Sequence, residues 1–500
     1  METSLPRRFF KHSLIYGVGS VLPSMLGFFL LPIYTAFLST ADYGILAITE
    51  VVERLLGEVL ILGLGLAVQR FYYDYDDKDE LARYLRTIWL FVTGLSLAVT
   101  ICLSYWGSII SDQLFRELPF DPYIKTTLWI VFLSMSSTLP LVLFQVREKP
   151  AKYVSLVVSQ FVVRVSLVIF FVVGLRAGAL GYLQGRLLAA LLFFILFSVL
   201  MWRASKPGFS VPGLRRSLGF GVPTTPHMVG GIVLNMSDRV FLERYASLAD
   251  AGLYAVGYKF VSVLSFAIVA VRNAWVPLFF SESKAGAPRA TFARTITNYI
   301  TGLAFLALGV SLFARELVAL ITAPAYHQAY RVIPVLIAGY MFYAMYVVSA
   351  PGVLYEKKPQ YVSLVTVCSA GANLLLNLLL VPRLGMMGAA VSGLVTYALM
   401  FLGTHFISTK LHPLGWENRR IALVFLTATG LFLTESLLGV ALGRPSLLLK
   451  LGLWLSFPLI LWAAGFFTAD EKARVAKVLA SLRPGHFRAL IMSIRRDTHR

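Results

Sequence analysis

Fourteen apolar runs of helical length decide what this chain can become. A hydrocarbon core about 30 Å thick is crossed by roughly 20 helical residues at about 1.5 Å of rise each. Runs of that length lie near 13 to 36, 43 to 68, 84 to 107, 123 to 145, 151 to 174, 179 to 202, 217 to 236, 251 to 274, 293 to 314, 332 to 353, 361 to 381, 386 to 408, 420 to 440 and 448 to 468. With 58% apolar and only 14% charged residues and a mean hydropathy of +0.74, the 500-residue chain cannot dress a water-soluble surface. The fold class expected is therefore an all-α polytopic membrane protein. The first run follows Arg7, Arg8 and Lys11, as a signal peptide would, but it is too long for a signal core and holds Pro23 and Pro32.

An even number of spans puts both termini on one side, and basic residues choose the side. Of the 45 Lys and Arg, 31 fall on the termini and the loops that share their side, 10 fall opposite, and four lie inside spans. By the positive-inside rule both termini are cytoplasmic, in a cell (inner or plasma) membrane. The net charge of +20 is thus mostly topology, and nucleic acid drops out as a partner. The tail from Glu471 to Arg500 is basic with apolar residues at helical spacing; it reads either as a solvated tail or as a helix lying on anionic lipid.

Shifted by 208 residues, the chain matches itself. Ser39, Ala41, Asp42 and Gly44 meet Ser247, Ala249, Asp250 and Gly252, and Tyr153 to Val157 recurs as Tyr361 to Val365. After one residue of slippage Arg176, Gly178 and Gly181 meet Arg383, Gly385 and Gly388. The expected organisation is an N-lobe of spans 1–6 (residues 1–206), a C-lobe of spans 7–12 (207–412), two further spans (413–470) and the basic tail (471–500). The shift covers an even number of spans, so the repeats run parallel, and such halves enclose a site between them.

A charge in mid-bilayer costs about 2.5–3.5 kcal/mol on insertion scales, so each should face a partner or a cavity. Span 2 carries Glu50, Glu53, Arg54 and Glu58 at spacings of three and four, along one side of a helix. Arg54 either neutralises those acids or lines a cavity; Lys259, one turn from the equivalent position in the repeat, favours the cavity. Arg164 and Arg186 stand alone among apolar neighbours and are expected to line it too. Four interior cations, Arg54, Arg164, Arg186 and Lys259, imply an anionic ligand. Glu50, Glu53 and Glu58 would balance charge, and one of them would bind a coupling ion, H+ or Na+.

Span 7 contains Pro223, Pro226 and His227 among several glycines, so its helix should be broken there and act as a gate or hinge. His227 either titrates during transport or is a structural polar group. Asp238 and Arg239, at the outer end, are expected to form a helix-terminal ion pair. No Gly-rich loop precedes a Lys and Ser/Thr, no zinc spacing occurs, and Cys102 and Cys368 lie far apart in apolar runs. No enzyme activity and no cofactor or metal are expected.

Three stretches carry a family resemblance: Leu30-Leu31-Pro32-Ile33-Tyr34-Thr35 into Asp42-Tyr43-Gly44; Gly221-Val222-Pro223 with Pro226-His227; and Asn235 through Asp238-Arg239 to Gly252-Leu253-Tyr254. In these the chain resembles the polysaccharide transport (Wzx-type) flippases of the multidrug/oligosaccharidyl-lipid/polysaccharide (MOP) superfamily. The resemblance implies two six-helix bundles in a MATE-like V with two peripheral helices. It also implies a substrate, a polyprenyl-diphosphate-linked oligosaccharide moved to the outer leaflet by alternating access, and other glycan-assembly membrane proteins as partners. A lipid II flippase fits less well, because the stretch near Ser24-Met25-Leu26 lacks that group's Arg-Asp pair. A MATE-like H+- or Na+-coupled exporter of drugs or metabolites would have an acid in the first helix, which is absent. A polytopic glycan polymerase would need a large outer loop, also absent, and a non-transporting scaffold within a glycan-assembly complex stays open.

Overall fold

The computed structural model describes residues 27–286, 288–442, 446–468 and 471–472. Most of the first expected span and nearly all of the basic tail lie outside the described residues, as does the stretch near Ser24. Every regular element described is helical. The α-helices are α1 (Leu31–Phe37), α2 (Thr40–Ile61), α3 (Leu64–Phe71), α4 (Lys78–Leu114), α5 (Lys125–Met135), α6 (Thr138–Val146), α7 (Pro150–Ile169), α8 (Gly178–Ala204), α9 (Val211–Gly221), α10 (Thr225–Tyr245), α11 (Leu248–Lys284), α12 (Arg289–Leu312), α13 (Ala314–Ile321), α14 (Ile333–Tyr355), α15 (Pro359–Leu411), α16 (Asn418–Leu442) and α17 (Leu447–Ala463).

Among the described residues nine helical stretches are long and apolar enough to cross a membrane. Their side chains are distributed inside out. On α15, Leu374, Leu375, Leu378 and Leu379 are 40–56% exposed, whereas Asn373 and Asn377 are buried. Asn373 donates to Thr396 Oγ1 at 3.2 Å and accepts from Asn377 Nδ2 at 3.0 Å and from the Ser237 hydroxyl at 2.8 Å. Lipid rewards apolar surface and offers polar groups no partner, so the amides pair with each other inside. The chain is an all-helical polytopic membrane protein, as its apolar runs require.

The backbone departs from the simple spans where local geometry, invisible to hydropathy, intervenes. Span 2 stops at Leu62-Gly63, both left-handed (φ 51° and 66°), which separates α2 from α3. Span 4 divides into α5 and α6 around Ser136 and Ser137. Spans 11 and 12, which share the label α15, are two helices that meet at a kink where Gly385 leaves helical geometry (φ 54°, ψ −133°). Span 7 is α9, a 3-10 turn at Val222–Thr224, and then α10, which continues to Tyr245, nine residues past the end that hydropathy suggests. The charged C-terminal part of α10 is too polar to read as a span yet is buried among its neighbours: Asp238, Arg239 and Glu243 are each under 9% exposed.

The duplicated residues occupy matching places. Ser39 and Ser247 are the N-caps of α2 and α11, and each accepts from the backbone N–H of the Asp three residues on, at 3.1 and 3.0 Å. Gly178 and Gly385 share a positive φ of 57° and 54° at the turn between the fifth and sixth spans of each repeat. Gly44 and Gly252 bring α2 and α11 into backbone contact. A Cβ on Gly44 would sit 1.9 Å from the Leu248 carbonyl oxygen, and one on Gly252 would sit 2.0 Å from that of Thr40.

Two compact units result. One comprises the described residues up to 286 together with 314–414; the other comprises 288–313 and the described residues from 415 onward. In the second unit α12 packs on α16 and α17, with Trp454 stacked on Phe305 at 4.5 Å and Lys450 Nζ 3.1 Å from Glu435.

Because backbone meets backbone at Gly252, no rotamer change can admit a side chain. Gly252→Val should destabilise the protein by about 1–3 kcal/mol or more, read as a lower thermal midpoint in detergent. Gly430→Val, at a glycine with nothing within 4 Å of its added Cβ, is the control. Equal midpoints for the two variants would contradict the close contact.

Candidate functional site

A cavity of about 830 Å³ opens between the two repeats within the first unit. The spacing that puts residues 50, 53, 54 and 58 on one side of α2 delivers Glu50, Glu53, Arg54 and Glu58 to its wall. α7 contributes Arg164, α8 contributes Tyr182 and Arg186, and the start of the described chain contributes Phe28 and Tyr34. From the second repeat come Asn235 and Arg239 on α10, Tyr258, Lys259 and Ser262 on α11, and Tyr340 on α14. All four cations and all three acids singled out from the sequence therefore line one space.

The charges fall into two groups. Arg54 is bound to Glu50 on the same helix, Nη2 to Oε1 at 2.7 Å with Nε at 3.1 Å, and remains 60% exposed to the cavity. Arg186 on α8 is bound to Glu53 on α2 at 2.5 Å, with side chains only 11% and 23% exposed. Its guanidinium also lies 5.7 Å from the Tyr182 ring. Arg164, Arg239 and Lys259 make no salt bridge among the described residues; Arg164 rests over Phe161 at 5.6 Å and Arg239 over Tyr258 at 4.8 Å. Five cations against three carboxylates leave two positive charges in excess. Of the acids, Glu58 is the one without a salt bridge among the described residues.

No salt bridge joins Asp238 and Arg239, which the sequence suggested as a helix-terminal ion pair. Successive residues of a helix point about 100° apart, and here each finds a separate partner. Arg239 Nη1 donates to the Asn235 carbonyl at 2.9 Å and faces the cavity, while Asp238 accepts from the Tyr254 hydroxyl. Ending span 7 at residue 236 hid this, because a residue counted in a loop is not weighed as an interior charge. The i, i+4 spacing of Asn235 and Arg239, continuing Gly231 and Met228, was the available signal.

Asn235 anchors a polar network: Tyr397 donates to its Oδ1 at 2.8 Å, and Tyr340 donates to the Tyr258 hydroxyl at 2.8 Å. His227 is half-buried with Nδ1 unpartnered among the described residues, and it is not on the cavity wall. Pro223 lies in the 3-10 turn that divides span 7, and Pro226 in the first turn of α10.

The two sides of that turn are held by different repeats. α9 is fastened to the first: Tyr84 and Ser217 hydroxyls are 2.8 Å apart in a buried contact, Arg216 pairs with Asp74 at 2.5 Å, and a Cβ on Gly221 would sit 2.3 Å from the Leu62 carbonyl oxygen. α10 packs along α15 of the second repeat, through Ser237 to Asn373.

Over residues 9–283 the chain matches the family described as polysaccharide biosynthesis protein. It is 28% identical over 284 residues to the Lsg locus putative protein 1 of Haemophilus influenzae, covering 55% of this chain and 67% of that protein. It is 26% identical over 287 residues to an uncharacterized membrane protein of the same species, covering 55% and 66%. The match thus spans about two thirds of these curated relatives. Among solved structures it resembles the lipid II flippase MurJ in an inward closed conformation, with a TM-score of 0.69 at 13% identity over 92% of this chain and all of that one. It also resembles an inward-facing multidrug resistance MATE family transporter of the MOP superfamily, with a TM-score of 0.60 at 12% identity over 83% and 95%. At such identities the likeness is one of fold.

The Arg186–Glu53 pair is buried enough that losing one member strands the other. Arg186→Met should destabilise by about 3–5 kcal/mol, and adding Glu53→Gln should recover most of that loss. Thermal midpoints of the two single variants and the double variant in detergent check this; additive losses would show that the two side chains do not act as a pair.

Proposed function

The chain belongs to the polysaccharide biosynthesis protein family and has the fold of the MOP-superfamily transporters, and on that basis we propose that it flips a polyprenyl-diphosphate-linked oligosaccharide from the cytoplasmic to the outer leaflet. The observation that carries the reading is the set of cations outside any salt bridge among the described residues, Arg164, Arg239 and Lys259, drawn from both repeats into one cavity. A diphosphate diester offers two negative charges and several acceptor oxygens, which suits cations that no salt bridge already engages. The sugars take the polar space by Asn235, Ser262 and the tyrosines, and the lipid tail stays in the bilayer.

On this reading Arg54 and Arg186 are donors in reserve, exchanging Glu50 and Glu53 for phosphate as the halves move. Glu58, the cavity acid without a salt bridge among the described residues, is the seat for a coupling H+ or Na+. The turn at Val222–Thr224, with Pro223 and Pro226, is the hinge, because α9 belongs by its contacts to one repeat and α10 to the other. The termini are cytoplasmic in the inner membrane, no chemistry is performed, anionic lipids meet the tail, and other glycan-assembly membrane proteins are the partners.

The alternative of a drug exporter draws on the MATE-like fold, yet a positive excess repels organic cations. Lys259→Ala and Arg239→Ala, correctly inserted, should each lower flipping of a fluorescent polyprenyl-diphosphate glycolipid in proteoliposomes about tenfold or more, the loss of one charge-assisted contact. Full activity in both variants, or export of cationic dyes without glycolipid movement, would overturn the proposal. Glu58→Gln should abolish any dependence of the rate on the H+ or Na+ gradient while leaving glycolipid binding unchanged; a persisting dependence places the coupling ion elsewhere.

A further inference from the structure

Glu243 is a fully buried acid outside the cavity. Its carboxylate, at the far end of α10, accepts from three successive backbone N–H groups of the first repeat. Oε1 receives Arg116 at 2.8 Å, Glu117 at 2.6 Å and Leu118 at 2.9 Å, and Oε2 receives Arg116 at 3.1 Å. The loop reciprocates: Glu117 Oε2 accepts the Leu248 N–H at 2.9 Å, in the first turn of α11.

A second contact mirrors this one. Thr35 stands 208 residues before Glu243, the shift of the repeat, and its hydroxyl oxygen accepts from the Ala323 N–H at 3.2 Å. Close by, the Tyr326 hydroxyl donates between the carbonyl oxygens of Leu38 and Ser39, at 2.9 and 2.7 Å. In each repeat the chain segment after the third span thus crosses over to the end of the other repeat's first span. The two crossings differ in charge. A threonine takes one neutral hydrogen bond, whereas Glu243 takes three charge-assisted ones with no exposure to water, and such bonds are roughly twice as strong as neutral ones.

We propose that these paired crossings are the latch that holds the outer end of the transporter shut, and that Glu243 supplies most of its strength. The outer placement rests on the orientation and transport role given above. For the cavity to open outward the repeats must part between residues 116–118 and Glu243, and between 323–326 and 35–39, because these contacts join one repeat directly to the other. Arg239 and Glu243 are four apart, on successive turns of α10, so an anion drawn to Arg239 pulls on the same rigid segment that carries the latch.

The test uses the full chain with Cys102 and Cys368 replaced by serine and a single cysteine at Ser262 on the cavity wall, labelled by a membrane-impermeant maleimide in right-side-out and inside-out vesicles. Glu243→Ala should raise labelling from the outer side about tenfold or more as the population shifts toward the outward-open form. Glu243→Gln, which keeps the volume and one acceptor oxygen, should raise it less, and Thr35→Val least. A correctly inserted Glu243→Ala protein labelled at the parent rate from both sides overturns the latch. If that variant inserts poorly, an unchanged rate in Glu243→Gln overturns it equally. A rise seen only from the cytoplasmic face upholds the latch and overturns the assigned orientation. A rise in a protein that moves no glycolipid upholds it and overturns the proposed substrate.

Discussion

The contact on which the rest of the molecule depends is the one in which α2 and α11 touch backbone to backbone through Gly44 and Gly252. Without side chains between them, the heads of two repeat-related helices are pinned together, and their charged faces then diverge around a common space. Everything that lines the cavity on α2 and α11 takes its position from that junction. In a bilayer, where lipid is as apolar as any leucine, close approach of this kind supplies dispersion contacts that the hydrophobic effect does not.

α2 has two roles that an ordinary span could not combine. It packs on α10 and α11 of the second repeat while Glu53 reaches back to Arg186 of its own repeat. A helix with this many charges is a poor membrane span by composition. It is tolerated because its charges point at counter-charges or at the cavity, and because apolar helices screen it from lipid.

The membrane architecture and the cavity were legible in the sequence for different reasons. Apolar runs report burial in lipid directly, so the helices came through even where their ends did not. The acids on α2 and the cations Arg164, Arg186 and Lys259 were legible because charge inside an apolar run is costly and therefore placed with purpose. What escaped is what depends on backbone conformation or on partners distant in sequence: the left-handed pair Leu62-Gly63, the continuation of α10 to Tyr245, and hence the burial of Arg239 and Glu243. Composition could not show that loop amides 116–118 lie 125 or more residues from the carboxylate they hold. The repeat came closest, since the shift that aligns Ser39 with Ser247 also aligns Thr35 with Glu243, two residues too unlike to be noticed as a match.

The residual charge of the cavity has an electrical consequence. On the proposed function, two excess positive charges met by a diphosphate diester carrying two negative ones would give a loaded cavity close to neutral. A transmembrane potential acts on net charge at about 2.3 kcal/mol per elementary charge per 100 mV. The voltage of the membrane therefore exerts little force on the substrate-filled site and a larger one on the empty site. On that reading it is the return of the unloaded carrier, with its net positive cavity, on which the membrane potential acts most strongly.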